Sequence, residues 1–179
     1  NLSFTNTGST TLGSLGNCAL TSLTINNYGY FYGSITLGTS MNVGVLTLNN
    51  SSLSIGANTL TISSLSGTGT LTGGSSSNMV LTGTVSMPTS LTTLSTLTIN
   101  NGGVADVYSD MTLTSGLFIA SGGTFNATSW SGAEYTITLL NASSLTNNGT
   151  LEANLSFTGT GDFTIQGSGV YSVFLMTIN

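Results

Sequence analysis

The sequence contains no lysine, arginine or histidine, and only five acidic side chains among its 179 residues give a formal net charge of -5. A chain without basic side chains cannot neutralise phosphates, which excludes nucleic-acid binding. The same absence disfavours anionic membrane surfaces. It also leaves no Ser-His pair and no basic catalytic group. We therefore expect a protein that is not an enzyme, requires no cofactor and binds no nucleic acid.

Cysteine, proline and long apolar runs are also scarce. The single Cys18 has no partner in the chain, and we expect a small buried side chain, with an intermolecular link as the alternative. No apolar run reaches the roughly 18 residues that a membrane-spanning helix needs. The absence of Lys and Arg removes every trypsin-type cleavage site, which is useful outside a cell. We therefore expect an extracellular protein.

The organisation of the chain is uniform. No linker or shift in composition divides it, which predicts one domain over residues 1–179. The first residue is Asn1, and no basic n-region with an apolar h-region precedes it, which indicates a processed product or an excised segment. Hydrophobic residues make up 39% of the chain and are spread in alternation, so the chain is expected to fold rather than remain disordered.

A short alternating phrase recurs along the chain. Its fullest form, at 96–103, reads Thr-Leu-Thr-Ile-Asn-Asn-Gly-Gly, and related forms occupy 22–27, 45–50, 59–63 and 176–179. In a strand, Leu97 and Ile99 would face a core while Thr96 and Thr98 face water. Asn and Gly tolerate the positive φ angles of a sharp corner. The phrase therefore predicts one strand followed by one corner.

The spacing of the phrases predicts the fold class. Intervals cluster between roughly 14 and 23 residues, a range typical of solenoids. We expect an all-β parallel β-solenoid (β-helix) with irregular rungs, and rungs of about 20 residues would make roughly eight or nine turns. The alternative is an antiparallel β-sandwich. Hairpins favour Asn-Gly turns, and Asn101-Gly102 and Asn148-Gly149 are the only such pairs, which favours the solenoid.

Residues 53–83, LSIGANTLTISSLSGTGTLTGGSSSNMVLTG, carry a family resemblance. This segment resembles the Gly/Ser/Thr/Asn-rich repeats of large secreted bacterial surface proteins and adhesins, which are thought to form right-handed β-solenoids. The resemblance implies a fibrous role at a cell surface or outside the cell. It implies no catalytic residue, and the near absence of charge departs from that group.

Three sets of residues are candidate sites. Asp106 and Asp110 are the closest carboxylates in sequence, and a corner between them would allow a weak calcium site. The candidates for contact with glycans or a partner protein are Tyr28, Tyr30 and Tyr32, which would share one face of a strand. The candidate glycosylation sites are Asn50, Asn126 and Asn148, which begin Asn-x-Ser/Thr sequences.

Taken together, these features predict a structural subunit of an extracellular filament, sheath or stalk. An uncharged polar surface tolerates self-association, and a solenoid has an open strand edge at each end. Head-to-tail contact between copies would then produce a homopolymer. The alternative is a carbohydrate- or host-binding adhesin module. Handedness, ligand and source are left open by the residues alone.

Overall fold

The computed structural model describes residues 1–5, 10–13, 19–27, 34–128 and 134–179. Within these ranges the chain forms 19 short strands and no helix. The strands are β1 (Leu2–Thr5), β2 (Thr10–Leu12), β3 (Ala19–Asn26), β4 (Ser34–Leu37), β5 (Met41–Asn49), β6 (Ser52–Ser54), β7 (Thr59–Gly67), β8 (Thr70–Thr72), β9 (Asn78–Leu81), β10 (Thr84–Met87), β11 (Thr93–Ile99), β12 (Val104–Val107), β13 (Met111–Ile119), β14 (Thr124–Asn126), β15 (Thr136–Leu140), β16 (Ser144–Asn147), β17 (Thr150–Thr158), β18 (Thr164–Gln166) and β19 (Val170–Ile178).

The strands stack in parallel, coil upon coil, as a β-solenoid of about eight turns. This confirms the predicted fold class and turn number, and it excludes the antiparallel sandwich. Among the described residues, the one antiparallel contact is an isolated bridge between Thr128 and Glu134. Stacked hydrogen-bonding partners are 18 residues apart at Thr96 and Asn78 and 26 apart at Thr136 and Asp110. The rungs are therefore irregular, as expected.

Strand pairing divides each coil into three faces. Face 1 includes β9, β16 and β18. The residues Ile62, Leu81 and Ile99, which are paired in successive coils, lie on this face. Face 2 begins at β1 and ends with 170–173 of β19. Face 3 begins at β2 and ends with 176–178 of β19. Long strands such as β5 contribute to two faces, because their backbone continues around a corner.

A single apolar core fills the centre of the coils. On face 1, stacked inward residues are fully or almost fully buried: Val43, Ile62, Leu81, Ile99 and Ile119. Outward positions carry hydroxyls and amides that bond between coils, as in the 2.9 Å contact of Thr47 with Ser66 and the 2.8 Å bond from Asn49 to Asn26. The alternation of apolar and polar residues thus separates core from surface.

The recurring phrase occupies different faces in different coils. Residues 22–27 and 45–50 lie on face 2, 59–63 and 96–101 on face 1, and 176–179 on face 3. Leu97 and Ile99 are fully buried, which confirms that they face the core, whereas Thr96 and Thr98 on the opposite side are half-buried. The phrase therefore marks one strand and its corner. Because each coil contains three such strand–corner units, the phrase recurs on different faces, and the intervals between its copies are irregular.

A break in the ladder separates the fourth coil from the fifth, and we call it the seam. On face 3 the sheet of β2, β4, β6 and β8 ends at β8, and on face 2 no ladder joins β7 to β10. On face 1 the ladder continues without interruption through β7, β9 and β11. Pro88 lies at the seam in a turn that the Leu91 amide closes with a 2.9 Å hydrogen bond to the Pro88 carbonyl, a position that suits a residue unable to donate to a ladder.

Candidate functional site

Exposed apolar side chains concentrate in the last coil, residues 159–178, which we call the terminal coil. Seven of its large apolar side chains are exposed: Ile165, Val170, Tyr171, Phe174, Leu175, Met176 and Ile178. In the rest of the described chain, only Val45 and Tyr108 share this property. A concentration of exposed apolar side chains makes this coil a candidate interaction surface.

The exposure follows from the position of these residues at the end of the stack. Ile178 lies on the inward side of face 3, paired with the buried Phe157, yet 71% of its surface is exposed, because no other strand in the described ranges pairs with β19. Tyr171 is likewise paired with the buried Leu151 on face 2. β18 pairs only with β16, and β19 only with β17. The terminal coil therefore presents apolar core positions together with open strand edges.

A buried amide anchors the terminal coil to the coil beneath it. Asn147 is fully buried, its Nδ2 donates a 2.8 Å hydrogen bond to the Val170 carbonyl, and its Oδ1 accepts a 3.0 Å bond from the Gly149 amide. The rings of Phe157 and Phe163 pack edge to face at a centroid distance of 5.4 Å. The open end is therefore attached by specific contacts and not by strand pairing alone.

The opposite end of the solenoid also has an apolar strand. β1 pairs on face 2 with β3, where Leu2 is opposite Leu23 and Phe4 is opposite Ile25. Leu2 and Phe4 are half-buried, whereas Ser3 is exposed. Neither β1 nor the strands of the terminal coil contain a charged side chain. The two ends are therefore chemically compatible with each other.

The candidate carboxylates lie on either side of a corner. β12 ends at Val107, so Asp106 belongs to face 2 while Asp110 precedes β13 on face 3, with a corner between them. Asp106 accepts a 3.3 Å hydrogen bond from Asn126, and Asp110 accepts a 2.9 Å bond from the Thr136 amide. In the described ranges, no three acidic or cysteine side chains form a metal-binding group.

The other predicted residues fall into two groups. Asn50 and Asn148 are exposed at corners, whereas Asn126 is half-buried and its Oδ1 accepts hydrogen bonds from Thr128, so its side chain is the least accessible of the three candidates. Tyr28, Tyr30 and Tyr32 lie outside the described residues, as does Cys18. The glycan-contact and cysteine hypotheses therefore stay predictions.

The seam contains a cavity of about 310 Å³ between β7 and β10. Its lining includes the apolar residues Leu48, Leu65 and Met87 and the polar residues Ser66 and Ser86. Leu65 occupies an inward position of face 2 but is only half-buried, because β10 does not close against it. The cavity is therefore a direct result of the broken ladder.

The sequence analysis did not identify the terminal coil as a site. A signal was present, since 173–176 reads Val-Phe-Leu-Met and interrupts the alternation of apolar and polar residues. In the structure a register shift falls in this segment, between the pairs Ala153–Val173 and Leu155–Met176. Exposure itself depends on the lack of a neighbouring strand, which a local pattern cannot reveal.

Comparison with known proteins returned no matching family model, no matching curated protein and no matching solved structure. Across the part of the chain that the structure describes, no helix has the length and apolar character needed to cross a membrane. The functional interpretation therefore depends on the geometry of the chain itself.

Proposed function

We propose that this chain is a non-enzymatic structural subunit of an extracellular filament, sheath or stalk, and that copies associate head to tail. The observation that carries the proposal is the stacking of the described coils into a parallel solenoid with almost no charge, in which the strands of the terminal coil have unpaired edges beside exposed apolar residues such as Ile178. Natural proteins usually protect such edges with charge, proline or a covering element. β18 and β19 contain no charged residue or proline, Asp162 is the one acid of the terminal coil, and no other strand in the described part of the chain covers their outer edges.

The chemistry of the surface supports the same proposal. Copies that meet end to end would bury apolar side chains and complete parallel ladders, both of which favour association. With a net charge of only -5 spread over five acids, long-range repulsion between copies is small. The two ends are unlike, so the contact is heterologous and extends into a fibre where it does not close into a ring.

Negative-stain electron microscopy of the purified chain over a range of concentrations tests this proposal. We expect filaments whose length increases with concentration. Ile178→Lys should abolish them, because the association would bury an unpaired charge. Val45→Lys is the matched control, since Val45 is also an exposed apolar residue but lies on the side of the solenoid. Compact single particles at every concentration, or equal loss of filaments in both variants, would contradict the proposal.

A further inference from the structure

We propose that face 1 binds face 1 of a second copy, so that two solenoids associate side by side. This contact is separate from the end-to-end association proposed above, because it involves residues on the side of the solenoid. Three properties of the outer surface of face 1 support it: continuity, neutrality and the packing of its side chains.

The outer surface of face 1 has side chains that stay in register from coil to coil. We call one line of them the outer row, and it contains Thr61, Val80, Thr98, Phe118, Thr146 and Gln166. A parallel line lies two residues earlier on each strand. The ladder beneath both lines passes the seam without a break, whereas the seam interrupts faces 2 and 3. Face 1 is therefore the longest regular surface in the described part of the chain.

None of the five acidic side chains lies in either line. Asp106 and Glu152 point outward on face 2. Asp110 and Glu134 precede strands of face 3, and Asp162 lies in the corner before β18. Two identical copies carry identical charges and no basic side chain, so surfaces that hold acids repel each other. Along face 1, two copies can meet over the whole ladder without opposing carboxylates.

Phe118 has an orientation that keeps the outer row level. Gly116 lies two residues earlier on the same side of β13. Atoms Cε2 and Cζ of the Phe118 ring lie 3.1 and 3.2 Å from the point that a Cβ on residue 116 would occupy. The ring therefore folds back over the glycine instead of projecting from the sheet. A second sheet can then pack against this surface at the roughly 10 Å that is typical of stacked sheets.

Polar side chains of face 1 already bond to one another between coils. Thr96 Oγ1 donates a 2.7 Å hydrogen bond to Asn78 Oδ1, and Gln166 Nε2 donates a 3.0 Å bond to Thr146 Oγ1. A polar group that has a partner costs less free energy to remove from water than an unpaired one. Covering the face with a second protein surface is therefore less costly than its polar composition suggests.

The size and repeat of the surface favour a second copy as the partner. The two lines and the residues that border them at the corners supply roughly 20 residues, which is the number that one side of a stable interface requires. A second copy has the same rise of about 4.8 Å per coil, so the side chains of two copies can interdigitate over the full length of the ladder. Each copy uses the same surface, and the contact closes as a dimer.

Sedimentation equilibrium of charge variants tests the contact. Every variant is made in an Ile178→Glu background, which adds a charge to the terminal coil and blocks association through it. Thr98→Glu and Thr61→Glu each place a carboxylate in the outer row, where neither copy offers a basic side chain to pair with it. Thr112→Glu is the matched control, because Thr112 is also half-buried and points outward, but on face 3.

We expect the background protein to dimerise at about 50 μM. Thr98→Glu and Thr61→Glu should each weaken dimerisation by at least about 100-fold, and Thr112→Glu by less than about threefold. A background protein that stays monomeric, or equal weakening by all three substitutions, would overturn the side-by-side contact. Filaments of the parent chain would then still support the proposed function. Dimers of the background protein without filaments of the parent chain would contradict only the head-to-tail association, and circular dichroism verifies that each variant is folded.

Discussion

At the scale of single residues, alternation predicts orientation well wherever a strand is regular. Leu97 and Ile99 were expected to face the core and are fully buried. Asn147 could not be predicted in the same way. It begins an Asn-Asn-Gly sequence that indicates an exposed corner, but its side chain is buried because the terminal coil covers it and supplies the Val170 carbonyl as a partner. Its role depends on a contact 23 residues away.

Replacement of Asn147 should have a large effect on stability for this reason. Asn147→Ala leaves the Gly149 amide and the Val170 carbonyl without their partners, so we expect the free energy of unfolding to fall by about 2–4 kcal/mol. Asn100→Ala is the matched control, because Asn100 is exposed. Chemical denaturation followed by circular dichroism measures both. Equal effects of the two substitutions would refute the anchoring role of Asn147.

At the scale of elements, the sequence predicts strands and corners but not the faces on which they lie. The same phrase forms a face 2 strand at 45–50 and a face 1 strand at 96–101, because both faces require the same alternation and the same corner. Face assignment emerges only when three strands close a coil. The seam could not be predicted either. β10 has the alternation of an ordinary strand, and it differs from the other strands only because it does not pair with β7.

The seam should be detectable by amide hydrogen exchange. β9 pairs with a neighbour at each edge, whereas β10 pairs only with β12. Amides of β10 should therefore exchange on the order of tenfold faster than those of β9, because open edges require less opening energy. Mass spectrometry of peptides that cover 78–81 and 84–87 provides the comparison. Equal protection of the two strands would be inconsistent with a broken ladder.

At the scale of the whole molecule, fold class and turn number could be predicted because alternation indicates short strands, and the spacing of the phrases favours a solenoid over the antiparallel sandwich. The candidate sites were less predictable. The two candidate carboxylates can be identified from the sequence because it contains so little charge. The exposed apolar side chains of the terminal coil can be identified only when the strands are stacked in three dimensions. The composition also has an electrostatic consequence for the whole molecule. Because the chain has no basic side chains, its coils are held together without side-chain ion pairs.

Stability should therefore depend little on salt. Between roughly 0.01 and 1 M NaCl, we expect Tm to change by less than about 3 °C, since there are no side-chain ion pairs to screen. Asn126→Lys is the contrasting variant. Asn126 lies between Asp106 and Glu152 in the stack, so a lysine there would form ion pairs whose stabilisation decreases as salt is added. Thermal melts of both proteins provide the test, and a parent chain that is as salt-sensitive as the variant would contradict it.

The continuous ladder of face 1 past the seam has a mechanical consequence. A load that opens the solenoid on the side of face 1 stretches the continuous ladder there and pushes faces 2 and 3 together at the seam. The cavity beside Leu65 supplies free volume for that compression, and the opposite load separates faces 2 and 3, where no ladder joins the coils at this level. The molecule is therefore expected to be stiff along most of its length and compliant at one level, with the direction of bending set by face 1.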